Sequence, residues 1–159
     1  MNKKRNNKGF SLVELIVVIA VMAVLVVVLA PAYLRYVDKA KVQKDVSAVS
    51  EVVQAIKLAS SEEAVAEEIG ATEGVTTVVI DGSTGAITVP KKVATATGTD
   101  LLDEITSTVG SNLTISSSAV KAGSVTINVW KNDNYQLTFK VVTSGITNTD
   151  AKTALEALK

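Results

Sequence analysis

The stretch GFSLVELIVVIAVMAVLVVVLAPAYL, residues 9–34, decides the architecture of this 159-residue protein. Its last twenty residues, 15–34, contain no charged side chain. An α-helix rises about 1.5 Å per residue, so this run spans roughly 30 Å, the thickness of the hydrocarbon core of a bilayer. Glu14 directly precedes the run and is the only charged residue between Gly9 and Leu34. The sequence therefore predicts a membrane-spanning helix with one carboxylate near its amino-terminal end.

Residue types and charge distribution narrow the classes of function. The sequence contains no Cys and no His, which excludes disulfides, thiolate zinc sites, thiol nucleophiles and imidazole bases. We therefore expect no enzyme activity, no cofactor and no bound metal. Residues 1–9 carry four cations and no acid, namely Lys3, Lys4, Arg5 and Lys8. Residues 10–159 then carry 12 basic and 16 acidic groups, and this net charge of −4 predicts no specific nucleic-acid partner.

Three interpretations account for the amino-terminal segment. A secretory signal peptide would use residues 30–32 (Ala-Pro-Ala) as its cleavage site, but its apolar region would be about twice the usual length. A plain membrane anchor, oriented by the four cations on the cytoplasmic side, leaves Glu14 without a role. The third interpretation gives Glu14 a function, because a carboxylate within a membrane costs roughly 2.5–3.5 kcal/mol on insertion scales. A new amino terminus at Phe10 would supply a cationic partner.

The residues around Glu14 resemble those of the type IV prepilin family. In that family a short basic leader ends in Gly, and Phe, a small polar residue, two aliphatic residues, Glu and an apolar run follow. This chain has the pattern at the full spacing, as Gly9, Phe10, Ser11, Leu12, Val13, Glu14 and the run from Leu15. The resemblance implies that residues 1–9 are a leader that a prepilin peptidase removes by cutting between Gly9 and Phe10. It also implies N-methylation of the new Phe10 amine.

The resemblance assigns assembly roles to Phe10, Glu14 and Pro31. Glu14 would pair with the Phe10 ammonium of a neighbouring subunit and set the axial register. Pro31 removes one backbone hydrogen bond, and we expect it to bend or break the helix. Either local unwinding in a filament or a simple bend near the membrane surface fits Pro31. Family members often have a glycine nearby, whereas this chain has Ala20 and Ala23, so extensive unwinding is less expected.

Beyond the anchor, the pattern predicts that the helix continues to about residue 60. Apolar residues recur 4, 3, 4 and 3 positions apart on one face, at Val42, Val46, Val49, Val53 and Ile56. We expect the opposite face to be polar, with Lys41 and Asp45 paired one turn apart. The apolar stripe would pack against a head; the alternative, an independent amphipathic linker helix, would leave it without a partner.

Residues 61–159 are predicted to form the globular head. Ser60 and Glu63 fit a capping box, and Gly70 fits the end of that short helix. Further short helices are predicted at 100–110 and at 151–158, the latter capped by Asn148 or Thr149. Strands are predicted at 75–80, 86–89, 125–129 and 135–141, with 113–116 as a further candidate. Turns at 81–85 and 131–134 would close two antiparallel hairpins.

A few side chains raise chemical hypotheses with simpler alternatives. Asp81, Ser83 and Thr84 could offer oxygen ligands to calcium, but an ordinary turn explains them better. Tyr33 and Tyr36 fit anchoring at the membrane interface. The aromatic residues of the head are expected to pack within the sheet, namely Trp130, Tyr135 and Phe139.

The expected fold class is α+β. A long amino-terminal helix, residues 10–60, would pack on a small antiparallel sheet with short extra helices. The anchor and assembly segment is residues 10–34 of that helix. The resemblance implies a structural subunit that polymerises into a type IV pilus for adhesion, motility or biofilm formation. Its partners would be further copies of itself, the prepilin peptidase, the membrane, and the assembly platform with its ATPase. The precursor would lie in the inner or plasma membrane and the product on the cell surface. In having no Cys, the sequence resembles many pilins of Gram-positive bacteria.

Two other functions remain open at this point. A pseudopilin of type II secretion or of DNA uptake would carry the same leader and anchor. A membrane-anchored surface binding module that never polymerises would retain residues 1–9.

Overall fold

The structure, a computed structural model, describes residues 9–61, 65–66, 69, 76–89 and 101–158. Its elements in chain order are α1 (Leu12–Ala59), β1 (Thr76–Asp81), β2 (Ile87–Thr88), α2 (Leu101–Val109), α3 (Ser118–Lys121), β3 (Ser124–Lys131), β4 (Leu137–Ser144) and α4 (Thr149–Glu156). They confirm the α+β class. The chain divides into two compact units, Met1–Asp38 and Lys39–Lys159.

The long amino-terminal helix is confirmed as α1, which has 48 residues. It begins two residues after Phe10 and ends at Ala59, close to the predicted bounds. Pro31 lies within α1, and the helix continues through it, so α1 is not broken there. The proline has no backbone N–H, so it removes one helical hydrogen bond without ending the helix.

The head is built on a four-stranded antiparallel sheet with the strand order β2-β1-β3-β4. Apolar and polar residues alternate along the strands, and this alternation sets the register of the sheet. The apolar residues of neighbouring strands must lie on the same face to share one core. Val78 pairs with Ile127, and Ile127 pairs with Val141 on its other side. All three side chains are buried. The predicted β3–β4 hairpin is confirmed.

One hydrophobic core joins the sheet to the part of α1 that lies in the second unit. The predicted stripe is confirmed, with Val42 half-buried and the other four residues buried. Val52, Ala55 and Ala59 widen the buried face of α1. Leu101 and Ile105 of α2, and Ala151 and Leu155 of α4, complete the core. The stripe therefore belongs to the head and not to an independent linker helix.

The turn between β1 and β2 explains one glycine. Gly85 has φ = +75°, and a Cβ placed there would lie 1.9 Å from the Leu113 carbonyl oxygen. The Leu113 amide donates to the Gly85 carbonyl at 2.8 Å. Only glycine satisfies both the left-handed φ and this close backbone approach. The turn at 81–85 is confirmed, with β2 reduced to Ile87–Thr88.

Some sequence predictions need correction or fall outside the described residues. Residues 113–116 form no strand; only Asn112 forms an isolated bridge, with Ala86. Tyr135 is exposed in the β3–β4 turn with φ = +59°, so β4 begins at Leu137. Asn148, and not Thr149, caps α4, because its side chain accepts from the Ala151 amide. Glu63, Gly70, Val75 and Asp100 lie outside the described residues.

Candidate functional site

Apart from Pro31, the residues predicted to act in processing and assembly lie around the amino-terminal end of α1. Gly9 and Phe10 precede the helix, and the Phe10 side chain is 90% exposed. Ser11 occupies the position immediately before the first helical residue, and Glu14 lies in the first turn. A carboxylate at this end of a helix is favourable, because the free backbone N–H groups and the helix dipole are positive there.

Ser11 and Glu14 form a variant of the capping box, in which Glu14 binds the Ser11 amide and the Ser11 hydroxyl binds the Val13 amide rather than that of Glu14. The Ser11 amide donates to Glu14 Oε2 at 2.9 Å. Ser11 Oγ accepts from the Val13 amide at 3.3 Å, and the Ser11 carbonyl accepts from the Leu15 amide at 3.3 Å. Two otherwise unpaired backbone donors are therefore satisfied by side chains. The pattern Ser11-x-x-Glu14 is visible in the sequence and would predict this capping contact. The prepilin pattern contains the same two residues, and it predicts instead that Glu14 pairs with a neighbouring subunit.

The anchor beyond Glu14 presents apolar side chains on all sides. Every residue from 9 to 36 is exposed. The helix is long and apolar enough to span a membrane. None of the anchor residues is buried, so their apolar side chains need an external apolar partner, either lipid or other helices.

Pro31 and Tyr33 lie in the carboxy-terminal part of the anchor, and Tyr36 follows two residues beyond its end. Pro31 is 17 residues beyond Glu14, which corresponds to roughly 26 Å along a helix. The structure therefore brings Phe10, Ser11 and Glu14 together and leaves Pro31 apart from them. Both tyrosines are exposed, a position that fits the predicted contact with a membrane interface.

A carboxylate that sequence reasoning misplaced lies within the head. Asp45 was expected on the polar face of α1, paired with Lys41, and this prediction is wrong. Asp45 is fully buried. Its Oδ1 accepts from the Ser116 amide at 2.7 Å, and its Oδ2 accepts from the Ser117 amide at 2.8 Å.

The Asp45 contact explains why residues 113–116 are not a strand. The Ser116 amide is directed to a carboxylate of α1 and not to a neighbouring strand. Ser117 in turn caps α3, since its Oγ accepts from the Val120 amide at 3.1 Å. Asp45 thus fixes this loop to the helix. No local pattern could reveal the contact, because the partners are 71 and 72 residues apart.

The Asp81 turn has the geometry of a closed hydrogen-bonded turn. Asp81 Oδ1 accepts from the amide and hydroxyl of Ser83 at 2.9 and 2.6 Å. It also accepts from the amide and hydroxyl of Thr84 at 2.8 and 3.0 Å. These bonds, chiefly that from the Ser83 hydroxyl, lower the pKa of Asp81 from 3.8 to about 2. The interpretation as an ordinary turn accounts for all of these groups.

Comparison with known protein families supports the processing signature. The family model described as the prokaryotic N-terminal methylation motif matches residues 4–30. This motif is the leader signature of type IV pilins and prepilins. The matched range includes Gly9, Phe10 and Glu14 and most of the anchor. Comparison with curated proteins and with solved structures gives no match. The motif supports a type IV pilin-like or pseudopilin protein, a class that is structural.

Proposed function

We propose that this protein is the structural subunit of a type IV pilus. The observation that carries the proposal is the methylation motif at residues 4–30, which extends into the helix α1, where the apolar side chains are exposed on all sides. A signal peptide or a plain anchor requires neither Phe10 nor Glu14. A filament subunit requires both, together with an apolar helix that can leave lipid and pack against copies of itself.

The first step of the proposed function is processing at Gly9. A membrane peptidase hydrolyses the peptide bond between Gly9 and Phe10 from the cytoplasmic side and removes the basic leader. The exposure of both residues ahead of the helix is compatible with access by the peptidase. The new Phe10 amine is then methylated, and the resulting secondary amine keeps its positive charge. The mature chain thereby gains a cation at the amino-terminal end of its apolar segment.

The second step is the transfer of the anchor from lipid to the filament core. Lipid tails are as apolar as the side chains of the anchor, so hydrophobicity alone gives little driving force for this transfer. Close packing of helices and the pairing of Glu14 with the Phe10 ammonium of a neighbour therefore direct assembly. A buried ion pair contributes little net stability, but the loss of one partner leaves an unpaired charge. The pair consequently selects one axial register.

The third element is an external energy source for extension. Packing and one ion pair must offset the entropy lost when the subunit is fixed in the filament. We therefore assign subunit addition to an assembly platform driven by a cytoplasmic ATPase. The heads, which carry the net negative charge of residues 10–159, would face the aqueous surroundings.

Intact mass and amino-terminal sequencing of material sheared from the native cell surface test this function. We expect a chain that begins with N-methylated Phe10 and is recovered abundantly in a high-mass filament fraction. A processed chain that stays in the membrane or forms only short, scarce fibres would indicate a pseudopilin. A chain that begins at Met1 and stays in the membrane would overturn the proposal and indicate a non-polymerising surface module.

A further inference from the structure

The capping box gives Glu14 a partner before any neighbour arrives. Of its two carboxylate oxygens, Oε2 accepts from the Ser11 amide. Within the described residues, the structure gives Oε1 no hydrogen-bond partner. The carboxylate is therefore held at the end of the helix that carries Phe10, with one oxygen engaged and the other open to a second donor.

We propose that Ser11 is a positioning residue for Glu14, and that it orders the carboxylate in the unassembled subunit for capture of a neighbouring Phe10 ammonium. This inference rests on the proposed pilin function and deepens its assembly step. Ser11 acts twice: its amide binds Glu14, and its hydroxyl caps the helix at Val13 and so keeps that amide in place.

The physical basis is preorganisation. A glutamate side chain loses rotamer entropy when it is fixed in one conformation. The capping box incurs this cost when α1 forms, so the cost does not oppose the later encounter between subunits. Ser11 lies beyond the predicted cut, which leaves the capping box intact in the mature chain. The Glu14 carboxylate thus has two roles: it caps the helix within its own subunit, and it pairs with the Phe10 ammonium of a neighbour.

Five variants separate the parts of this arrangement. Glu14→Ala removes the carboxylate that accepts from the Ser11 amide. Ser11→Thr keeps both the hydroxyl and the amide, so it should behave as wild type. Ser11→Ala removes the hydroxyl cap, and Ser11→Pro removes the amide that binds Glu14. Glu14→Gln retains an acceptor for the Ser11 amide and removes the charge. Ser47→Ala is the matched control, because its hydroxyl donates to the Gln43 carbonyl within the same helix and lies far from Ser11 in the sequence.

The first measurement is amide hydrogen exchange by NMR on the full-length precursor in lipid nanodiscs. Loss of a helix cap typically increases the equilibrium constant for local opening of the helix end by about fivefold. We expect Ser11 amide exchange to rise about fivefold in Glu14→Ala and to stay near wild type in Glu14→Gln. The Val13 amide should exchange about fivefold faster in Ser11→Ala and not in Ser11→Thr or Ser47→Ala. Unchanged Ser11 exchange in Glu14→Ala would overturn the proposal, whether or not the variants are cleaved.

The second measurement is the amount of filament formed per cleaved subunit in cells. We expect a reduction of about fivefold for Ser11→Ala and at least as much for Ser11→Pro, with rescue by Ser11→Thr. Glu14→Gln should fail to assemble although its cap is intact. Wild-type assembly of both Ser11→Ala and Ser11→Pro would overturn the positioning role. Absence of wild-type filaments would instead count against the pilin function, so the two failures are distinguishable.

Discussion

The anchor and the head use the same aliphatic residues in opposite ways. Ile19 and Ile56 both belong to α1, yet Ile19 is 57% exposed and Ile56 is fully buried. The head surrounds Ile56 with its own sheet and short helices, whereas the anchor provides nothing to cover Ile19. Composition therefore does not decide burial within a single chain. It determines only how much apolar surface must find a partner, and for the anchor that partner lies outside the chain.

The two regions also differ in how they satisfy a carboxylate. Glu14 is bound by an amide three residues away, while Asp45 is bound by amides 71 and 72 residues away. The anchor contact survives in an isolated helix, and the head contact exists only once the head has folded. Substitutions in the anchor should consequently alter assembly, and substitutions in the head should alter stability.

The largest effect is expected from Glu14→Ala, which tests the assembly half of this comparison. Membrane insertion and leader cleavage should persist, because neither needs the carboxylate. Sheared filaments should decrease by about 100-fold or more, since an unpaired Phe10 ammonium would remain in an apolar core. Electron microscopy and immunoblotting of the sheared fraction measure this loss. Glu51→Ala, an exposed acid of the same helix in the head, is the control. Normal filaments in Glu14→Ala would remove Glu14 from the assembly mechanism.

The next largest effect is expected from replacing an isoleucine by alanine in the head, compared with the same replacement in the anchor. Ile56→Ala should lower the free energy of unfolding of the head by about 2–5 kcal/mol, because it opens a cavity in the core. Ile19→Ala should change it by less than about 0.5 kcal/mol. Urea unfolding of the full-length chain in detergent micelles, followed by Trp130 fluorescence, measures both. Equal losses in the two variants would contradict the independence of the regions.

A slightly smaller effect is expected from Asp45→Ala. The substitution leaves the amides of Ser116 and Ser117 without their acceptors, at a cost of about 1–3 kcal/mol for a buried donor. We expect the head to lose about 2–4 kcal/mol in the same unfolding assay. Asp38→Ala, which removes an exposed acid from α1, should change little. If both variants unfold alike, Asp45 does not fix the loop to the helix.

The smallest effect concerns the exposed turn of the head. The folded pKa of Asp81, about 2, is below its ordinary value of 3.8. Its contribution to stability is therefore fully present above pH 3.8 and is lost as the pH falls through about 2. An NMR titration of the Asp81 carboxyl should show a midpoint near 2 in the wild type. Ser83→Ala should move that midpoint towards 3.8, because it removes the largest cause of the shift. An unmoved midpoint would contradict the assignment.

Much of the fold follows from local patterns that were readable in advance. The alternation of Val125, Ile127 and Val129 predicted β3, because a half-buried strand must place every second side chain in the core. The spacing of the α1 stripe likewise predicted which face meets the head. Tyr135 was misassigned because it continues the alternation of β4 by one step. The side-chain oxygen of Asn132 binds the amides of Asn134 and Gln136, and this local bonding places Tyr135 in the turn.

The candidate site was predicted in part. A motif of fixed spacing predicts roles for Gly9, Phe10 and Glu14, and the family model matches the stretch that contains them. The bond between Ser11 and Glu14 was equally local and could have been predicted from the capping pattern. The pairing of Glu14 with a neighbour stays a prediction, since it requires a second subunit.

The sequence by itself determined the long helix, its exposed apolar half, the methylation motif and the alternation of the main strands. Each of these depends on residues within a few positions of one another, where helix and strand periodicity are directly visible. The tertiary structure alone decided that Asp45 is buried, that residues 113–116 are not a strand, and that Gly85 must lack a side chain. These depend on backbone groups brought together from distant parts of the chain. A buried hydrogen-bonding group takes whatever partner the fold brings to it, and sequence proximity does not specify that partner.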